Sequence, residues 1–469
     1  MDELSLRAML ERAISSEPPL GRIVDKSLRQ GRRLRHRRAT VAAVLSAAAV
    51  VVVGSIPAVT AGAGRTARAG RTAGAGRTSG AGNEVSKQVP ATTAAPHFIA
   101  RTAYVATSHN TVVPVNLATN EVGAPVRVPE LIDDPFVIQA GASPNGRTVY
   151  EVGEPGGGPT TVTPIDTATN TAGPPITIGN AEPQDFAIAP NGQTAILSAP
   201  EGLFRINTAT NTASKAPDCS RFGCGAIAFS PSGRALYVIN RGGKTVIVMR
   251  TTSNTGRTRI KIPANSPGIP FNIGITPNGK TAYVVDGKYE AKPGENSVVP
   301  IDLATNTALT PIKIWAPGLA DGLVIAPDGR SAYVLSSRAV TPIDTATNEA
   351  EATINLPQSA GYAYFMALTP NGKTLYVLTP RGVVPIRTDS GTVLPTIKVP
   401  KLCSSTPIAI APSGSTVYVG ACITRPSMFD GLKSRKIVGG GIVPISTATN
   451  SAGRFINLGG PPVAITFGR

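Results

Sequence analysis

Three aspartates in this chain have the chemistry of general acid–base groups or of metal-binding carboxylates. Asp166, Asp302 and Asp344 each follow Pro-Ile in nearly identical contexts. Asn or Ser takes the same place in other segments, as Asn116, Asn207 and Ser446. A catalytic group is needed once, whereas a recurring Asp, Asn or Ser after a strand typically caps a turn with its side-chain oxygen. The repetition therefore predicts a structural role for these carboxylates, and the sequence indicates no catalytic residue.

The four cysteines could form disulfides or ligate a metal ion: Cys219, Cys224, Cys403 and Cys422. A Cys/His zinc site would have few ligands, because His97 and His109 are the only histidines beyond residue 38. An even number of cysteines suits an oxidising compartment. Cys403 and Cys422 flank a predicted hairpin and should face each other, while Cys219 and Cys224 bracket a short loop. We expect these two disulfides, no metal site and no cofactor.

The elements that position these residues come from an internal repeat that begins near residue 97. A Pro-(Asn/Asp/Ser)-Gly turn recurs at intervals of 41 to 50 residues, starting at Pro144, Pro190, Pro231, Pro277, Pro327, Pro370 and Pro412. Pro presets a type I turn and Gly takes the left-handed position, so each copy between apolar runs predicts a β-hairpin. A second signal, a strand followed by an Ala-Thr-Asn-like turn, occurs eight times.

The mismatch between seven copies and eight predicts how the ends of the repeat region meet. Residues 101–108 begin in the middle of a unit, and residues 461–469 supply its missing first strand. Four short strands in about 46 residues match a propeller blade, and a shared blade removes exposed strand edges. The sequence therefore predicts an all-β fold, an eight-bladed β-propeller over residues 97–469, with seven blades as the alternative.

Tyr-Val dipeptides in the second strands complete the pattern: Tyr104-Val105, Tyr237-Val238, Tyr283-Val284, Tyr333-Val334, Tyr376-Val377 and Tyr418-Val419. With the Pro-x-Gly and Ile-Asp-x-Ala-Thr-Asn context, this region resembles the Tyr-Val-Thr-Asn (YVTN) family of propeller repeats. Thr-Asn rarely follows Tyr-Val here. The resemblance implies the propeller fold and similarity to bacterial surface-layer proteins and propeller lactonases.

About half of the formal net charge of +17 lies in residues 1–82. Basic residues precede an uncharged apolar run from Ala39, which is long enough to cross a bilayer. We expect a cytosolic basic leader (1–38), a transmembrane signal anchor (39–61), a flexible Gly/Ala/Arg/Thr linker (62–96) and an extracytoplasmic propeller. The alternative is secretion after cleavage near Ala61. The charge then indicates membrane topology rather than a nucleic-acid partner.

Loop length indicates where recognition takes place. Connections from second to third strand and from one blade to the next vary in length and share one face, including 151–161, 286–297, 357–363 and 423–441. Variable loops on a rigid scaffold usually carry binding residues. The candidates on this face are Arg221, Tyr289, Trp315, Asp321, Tyr362 and Tyr364. We expect a binding or scaffold module for proteins or cell-envelope ligands, with a lactonase-like hydrolase acting in the central funnel as the alternative.

Overall fold

A computed structural model describes residues 100–128, 136–154, 158–216, 223–251, 258–266, 268–402, 407–429 and 432–469. The predicted leader, anchor and linker lie outside these ranges and stay predictions. Among the described residues no helix is long and apolar enough to cross a membrane. Apart from one 3-10 turn, Gln358–Ala360, their regular structure is β-strand.

The strands form eight separate sheets, which are the blades. Blade 1 starts with β1 (Thr102–Thr107), β2 (Thr111–Asn116) and β3 (Val126–Arg127). Blade 2 contains β4 (Phe136–Ala142), β5 (Thr148–Glu154), β6 (Thr160–Asp166), β7 (Thr171–Ala172) and β8 (Ile176–Gly179). Blade 3 contains β9 (Asp185–Ile188), β10 (Thr194–Ala199), β11 (Gly202–Asn207) and β12 (Thr212–Ala216). Blade 4 contains β13 (Cys224–Phe229), β14 (Ala235–Asn240), β15 (Thr245–Arg250) and β16 (Thr258–Lys261).

The second half continues in the same order. Blade 5 contains β17 (Ile269–Ile275), β18 (Thr281–Gly287), β19 (Asn296–Asp302), β20 (Thr307–Ala308) and β21 (Ile312–Ile314). Blade 6 contains β22 (Ala320–Ile325), β23 (Ser331–Ser336), β24 (Ala339–Asp344), β25 (Glu349–Ala350) and β26 (Ile354–Asn355). Blade 7 contains β27 (Phe365–Leu368), β28 (Thr374–Thr379) and β29 (Gly382–Arg387). Blade 8 contains β30 (Ile408–Ile410), β31 (Thr416–Phe429), β32 (Leu432–Ser446), β33 (Ser451–Ala452) and β34 (Ile456–Asn457), and β35 (Pro462–Gly468) ends the chain.

The ring closes through the last strand, as the sequence predicts. Strand β35 pairs antiparallel with β1, with Tyr104 opposite Thr466, and so becomes the inner strand of blade 1. The inner strands β35, β4, β9, β13, β17, β22, β27 and β30 each contact the next around the circle. The prediction of eight blades is confirmed. Closure leaves no inner-strand edge open to pairing with another chain.

Two local expectations are wrong. The connection 423–441 is not a loop, because β31 and β32 continue as a two-stranded ribbon that reaches the pair Phe429 and Leu432. The two residues between them are Asp-Gly, the composition typical of a two-residue hairpin turn. Blade 7 has three strands instead of four. Isolated bridges, Val383 with Ile397 and Ile386 with Val393, take the place of the fourth, where Pro395 removes a backbone donor.

The Pro-x-Gly turns adopt the predicted geometry and stack on one another around the ring. In blade 8 Gly414 has φ of 73°, which a glycine adopts without strain. A β-carbon at Gly414 would lie 3.2 Å from Pro370 in the turn of blade 7. The same close approach joins Gly233 to Pro190 and Gly329 to Pro277. Glycine is therefore required both for the turn and for the fit of each turn against its neighbour.

The tyrosine of the repeat and the asparagine of the Ala-Thr-Asn turn are partners across blades. The Tyr418 hydroxyl of blade 8 donates a hydrogen bond of 3.0 Å to Oδ1 of Asn120 in blade 1. Equivalent bonds join Tyr104 to Asn170, Tyr283 to Asn348 and Tyr376 to Asn450. Burial raises the pKa of Tyr418 to about 12, so the hydroxyl keeps its proton and acts as a donor.

The recurring aspartates cap turns. Oδ1 of Asp166 accepts hydrogen bonds from the backbone N–H groups of Ala168 and Thr169, both at 2.9 Å. Asp302 and Asp344 make the same pair of contacts two and three residues ahead. The backbone hydrogen bond from Thr169 is the main cause of a lowered pKa of the Asp166 carboxyl. These groups are thus held ionised at the rim of the blades, in the structural role that the repetition predicts.

We expect Tyr418→Phe to lower the free energy of unfolding by about 1 kcal/mol, because it removes one inter-blade hydrogen bond and leaves Asn120 Oδ1 without its donor. Urea denaturation of the propeller measures the effect. Tyr362→Phe is the matched control, since the same hydroxyl is removed from an exposed ring. Equal stability of the two variants would contradict the role of the Tyr–Asn bond.

Candidate functional site

The candidate residues lie on the face opposite the Pro-x-Gly turns, which we call the variable-loop face. It is formed by the connections between second and third strands and by those between blades. Tyr289 lies in the β18–β19 connection, Trp315 follows β21 and Asp321 lies in β22. Tyr362 and Tyr364 lie just before β27. Five of the six predicted residues thus occupy this face in blades 5 to 7, and Arg221 lies outside the described residues.

Three of these aromatic rings are exposed and supported on one side. Trp315, Tyr289 and Tyr362 expose 63%, 51% and 42% of their surface. The Trp315 ring lies over Gly294, where a β-carbon would come within 3.1 Å of it. The guanidinium of Arg338 lies 4.6 Å from the centre of the Tyr362 ring, a cation–π distance. Each ring therefore has a fixed position while part of it stays open to a partner.

A second group of residues forms a chain of contacts that leads from Tyr289 in blade 5 to blades 4 and 3. The Phe271 and Tyr289 rings meet edge to face, with centroids 5.9 Å apart. On Phe271 lies the guanidinium of Arg241, 5.7 Å from the ring centre. Arg241 Nη1 donates a hydrogen bond of 3.3 Å to Oε1 of Gln184. Blades 3, 4 and 5 are thus connected on the variable-loop face, through Gln184 before β9, Arg241 after β14 and Phe271 in β17.

The connection extends to blades 2 and 6. Nε2 of Gln139 donates to the Gln184 carbonyl at 3.4 Å. Nδ2 of Asn272 donates to the Asp321 carbonyl at 3.3 Å. Asn272 follows a register shift in the pairing of β17 with β18, and such bulges redirect side chains near functional sites. Only Asp321 of these residues is among the sequence candidates. The others occupy positions that the repeat does not mark.

The most deeply buried carboxylate on this side holds two blades together. Asp286 is fully buried at the end of β18. Its Oδ2 accepts hydrogen bonds from the Ser266 hydroxyl and from the backbone N–H of Gly268. The Nζ of Lys244 in blade 4 lies 3.6 Å from the same oxygen and donates to the Ser266 carbonyl at 2.7 Å. This arrangement fixes the entry into blade 5 and keeps the carboxylate away from solvent.

The described part of the chain contains no group of three or more His, Cys, Asp or Glu side chains placed to share a metal ion. The variable-loop face carries arginines, amides and hydroxyls beside the exposed aromatic rings. It also carries charged pairs, such as Lys288 and Glu295 at 2.9 Å. Such groups can stack and form hydrogen bonds with a ligand.

One perturbed titratable group lies away from this face. Glu151 is 1% exposed in the middle of β5, where other blades have the Val of Tyr-Val. Val149, two residues earlier and so on the same face of the strand, packs between blades 1 and 2 with Tyr104 and Val112. Burial raises the pKa of Glu151 to about 8. The carboxyl is a buried departure from the repeat, not part of the mouth of the ring.

This carboxyl makes stability depend on pH. Its pKa is raised from 4.5 to about 8 on folding. The free energy of unfolding is therefore highest below pH 4.5, where the carboxyl is protonated in both states, and it falls as the pH rises to about 8. We expect Glu151→Val to remove this loss and to raise the free energy of unfolding at pH 8 by several kcal/mol, at about 1.4 kcal/mol per pH unit. Urea denaturation at pH 5 and pH 8 measures it.

Glu349→Gln, at an exposed position, is the control for removal of one carboxylate. Tyr104 keeps its proton throughout this range, since burial raises its pKa to about 12. If the unvaried protein and Glu151→Val show the same change in stability between the two pH values, Glu151 does not titrate as stated.

Comparison with known proteins places the chain by its fold. No family model matches the sequence, and no curated protein matches it. Many solved structures are similar. One is dihydro-heme d1 dehydrogenase NirN in complex with DHE, with a TM-score of 0.59 and 12% identity, covering 79% of this chain and 76% of that one. Another is Kuenenia stuttgartiensis hydrazine synthase, with a TM-score of 0.49 and 20% identity, covering 66% and 97%. At these identities the likeness is one of fold.

Proposed function

We propose that this protein is an extracytoplasmic binding or scaffold module, anchored in the cell membrane by residues 39–61, that binds a protein or cell-envelope ligand on its variable-loop face. One observation supports this most directly. Of the ten tyrosines, seven occupy the same position of the repeat, and the other three, with the single Trp, lie on this face. The repeat explains none of these four aromatic residues, and we assign them to recognition.

The surroundings of these rings support the proposal. Tyr, Trp and Arg dominate the binding energy of protein interfaces, because they bury a large area at low entropic cost. Here Arg338 lies on Tyr362, and Arg241 lies on Phe271, which in turn supports Tyr289. A ring that is already held in place loses little further freedom when a partner covers it. The same face could bind a cell-envelope polymer by stacking.

The cysteines are relevant to whether the propeller lies outside the cytoplasm, because disulfides form in oxidising compartments. No cysteine in the described part of the chain is a free thiol. The backbone N–H of Cys422 donates to the Lys401 carbonyl at 2.8 Å, two residues before Cys403. The expected partners Cys219 and Cys403 lie outside the described residues, so the pairings Cys219–Cys224 and Cys403–Cys422 are part of the proposal.

We expect both disulfides in protein recovered from the washed membrane fraction of the producing cells. Peptide mapping by mass spectrometry without reduction identifies the linked peptides, and mapping after reduction is the control. Free thiols at all four positions would contradict an extracytoplasmic location. Recovery of the protein from the culture medium alone would favour cleavage near Ala61 over the anchor.

The binding face can be tested by photo-crosslinking in those cells. We expect a benzoylphenylalanine at position 315 or 362 to give a specific adduct, because both rings are exposed on the proposed face. The same residue at position 278, on the opposite face, is the matched control. Trp315→Ala should weaken the adduct at position 362 about 30-fold, as expected for an interface hot spot. Adducts at 278 alone, or at all three positions equally, would contradict this face.

The alternative, a lactonase-like hydrolase, predicts a different result. Lactone hydrolysis by purified residues 85–469, measured with and without divalent metal, would then occur and would be lost in Asp321→Ala. Clear turnover of this kind would replace the binding proposal. Absence of turnover together with the crosslinking pattern above would support it.

A further inference from the structure

The face that carries the Pro-x-Gly turns, which we call the turn face, has its own charge pattern. The residue after the glycine is basic in five of the seven turns: Arg147, Arg234, Lys280, Arg330 and Lys373. All five side chains are exposed. Gln193 and Ser415 take this position in the other two turns. The fold therefore does not need a cation at this position.

The turn uses the backbone of this residue and not its side chain. The N–H of Lys280 donates to Oδ1 of Asn278 at 2.9 Å. The N–H of Gln193 makes the same bond to Asn191 at 3.0 Å. Within the described residues, none of the five basic side chains makes a hydrogen bond or an ion pair. The five charged side chains on the turn face therefore do not stabilise the fold through hydrogen bonds or ion pairs.

The stacking of the turns brings these charges into one annulus. In each turn from Gly192 to Gly414 the glycine lies against the proline of the preceding turn. A β-carbon added to the glycine would come within 3.2–3.6 Å of that proline. These turns begin at the inner strands, so the annulus surrounds the axis of the ring. At blade 1 the residues that flank β1 and β35 complete it. The N–H of Arg469 donates to the Gly146 carbonyl, and that of Arg101 donates to the Gly468 carbonyl, both at 3.1 Å.

Few acidic groups neutralise the annulus. Asp328 is the only acidic residue of the seven turns, and its Oδ1 already accepts the N–H of Arg330 at 3.0 Å. Neighbouring like charges repel one another, and an anion bound among them relieves that repulsion.

The outer rim of the same face carries more acidic than basic residues. The turns between third and fourth strands and their flanking positions carry Glu121, Asp166, Asp302, Asp344, Glu349, Glu351 and Asp389, against Arg250, Arg257 and Arg387. An extended anionic surface, such as a bilayer or a nucleic-acid duplex, would meet this acidic rim as well as the basic centre. A compact anion that fits within the annulus meets only the basic centre.

We propose that the annulus formed by Arg147, Arg234, Lys280, Arg330 and Lys373 binds a compact polyanion, a molecule with several phosphate groups close together. Multiple cations around one axis match closely spaced phosphates, and Arg forms paired hydrogen bonds with them. The site lies on the face opposite the proposed partner-binding face, so it does not rest on that proposal. A free oligophosphate and a multiply phosphorylated headgroup share this chemistry.

The test is calorimetric titration of residues 85–469, a compact unit whose ring closes within itself. Tripolyphosphate is the probe, at 20 mM and 200 mM salt. We expect saturable binding of one tripolyphosphate per chain, weaker at the higher salt. The triple variant Arg234→Gln/Lys280→Gln/Arg330→Gln should weaken binding at least 30-fold. Blade 3 has Gln at this position, so the variant should retain the fold, which urea denaturation checks.

The matched control removes three exposed cations from outer strands, Arg127→Gln/Lys261→Gln/Lys313→Gln, and should change binding less than three-fold. Equal weakening by both triple variants would show diffuse attraction by net charge and would overturn the site. No heat at 1 mM tripolyphosphate in low salt would overturn it as well.

Vesicles distinguish the sources of the phosphate. Binding to vesicles that contain a bisphosphorylated lipid, lost in the annulus variant and competed by tripolyphosphate, would support the site with a headgroup as its ligand. Equal binding to vesicles with a singly charged anionic lipid would overturn the compact-anion proposal, because the acidic rim should oppose an extended anionic surface.

Discussion

At four of the described junctions between blades, a hydrogen bond from the repeat tyrosine of one blade to the turn asparagine of the next constrains how the two blades are arranged. A blade by itself is a small sheet with two apolar faces, and burial of those faces against neighbours drives the ring to form. Burial alone is non-directional, whereas a hydroxyl that must find one amide oxygen fixes the register between blades. The bond from Tyr418 to Asn120 spans 298 residues of sequence and makes blades 8 and 1 neighbours. The asparagine can receive it because Asn tolerates the left-handed conformation of the turn, with φ of 59° at Asn120.

This constraint explains which parts of the structure the sequence could predict. The Tyr-Val dipeptide, the Ala-Thr-Asn turn and the Pro-x-Gly turn are each repeated because each contacts a neighbouring blade or caps a strand. Repetition made the fold, the blade number and the closing strand predictable without any single motif being decisive. It also identified Asp166, Asp302 and Asp344 as turn residues.

The parts that repetition does not control were predicted poorly. Arg241 and Gln184 lie 57 residues apart and in different blades, and neither is marked by its type or neighbours. Their contact depends on how the β14–β15 connection meets the start of β9, and the positions of Phe271 and Asn272 depend on a local register shift. The sequence predicts a loop where blade 8 has its ribbon, because Pro426 and three consecutive glycines weaken the strand pattern. Exposed aromatic residues were easier to identify, since all the repeat tyrosines are accounted for by burial.

The same constraint divides the molecule into two faces with different freedom to vary. On the turn face the Pro-x-Gly connections are short, and each is fitted to its neighbour. A side chain at an exposed position of this turn can therefore recur around the axis together with the turn. Charge placed there is multiplied and becomes an annular field. On the variable-loop face each connection belongs to one blade, so residues such as Trp315 and Arg338 occur once and can be shaped individually. A propeller of this kind is therefore suited to recognise symmetric or multiply charged chemistry on one side and an asymmetric partner on the other. The two kinds of recognition follow from the presence or absence of repetition at each end of the blades.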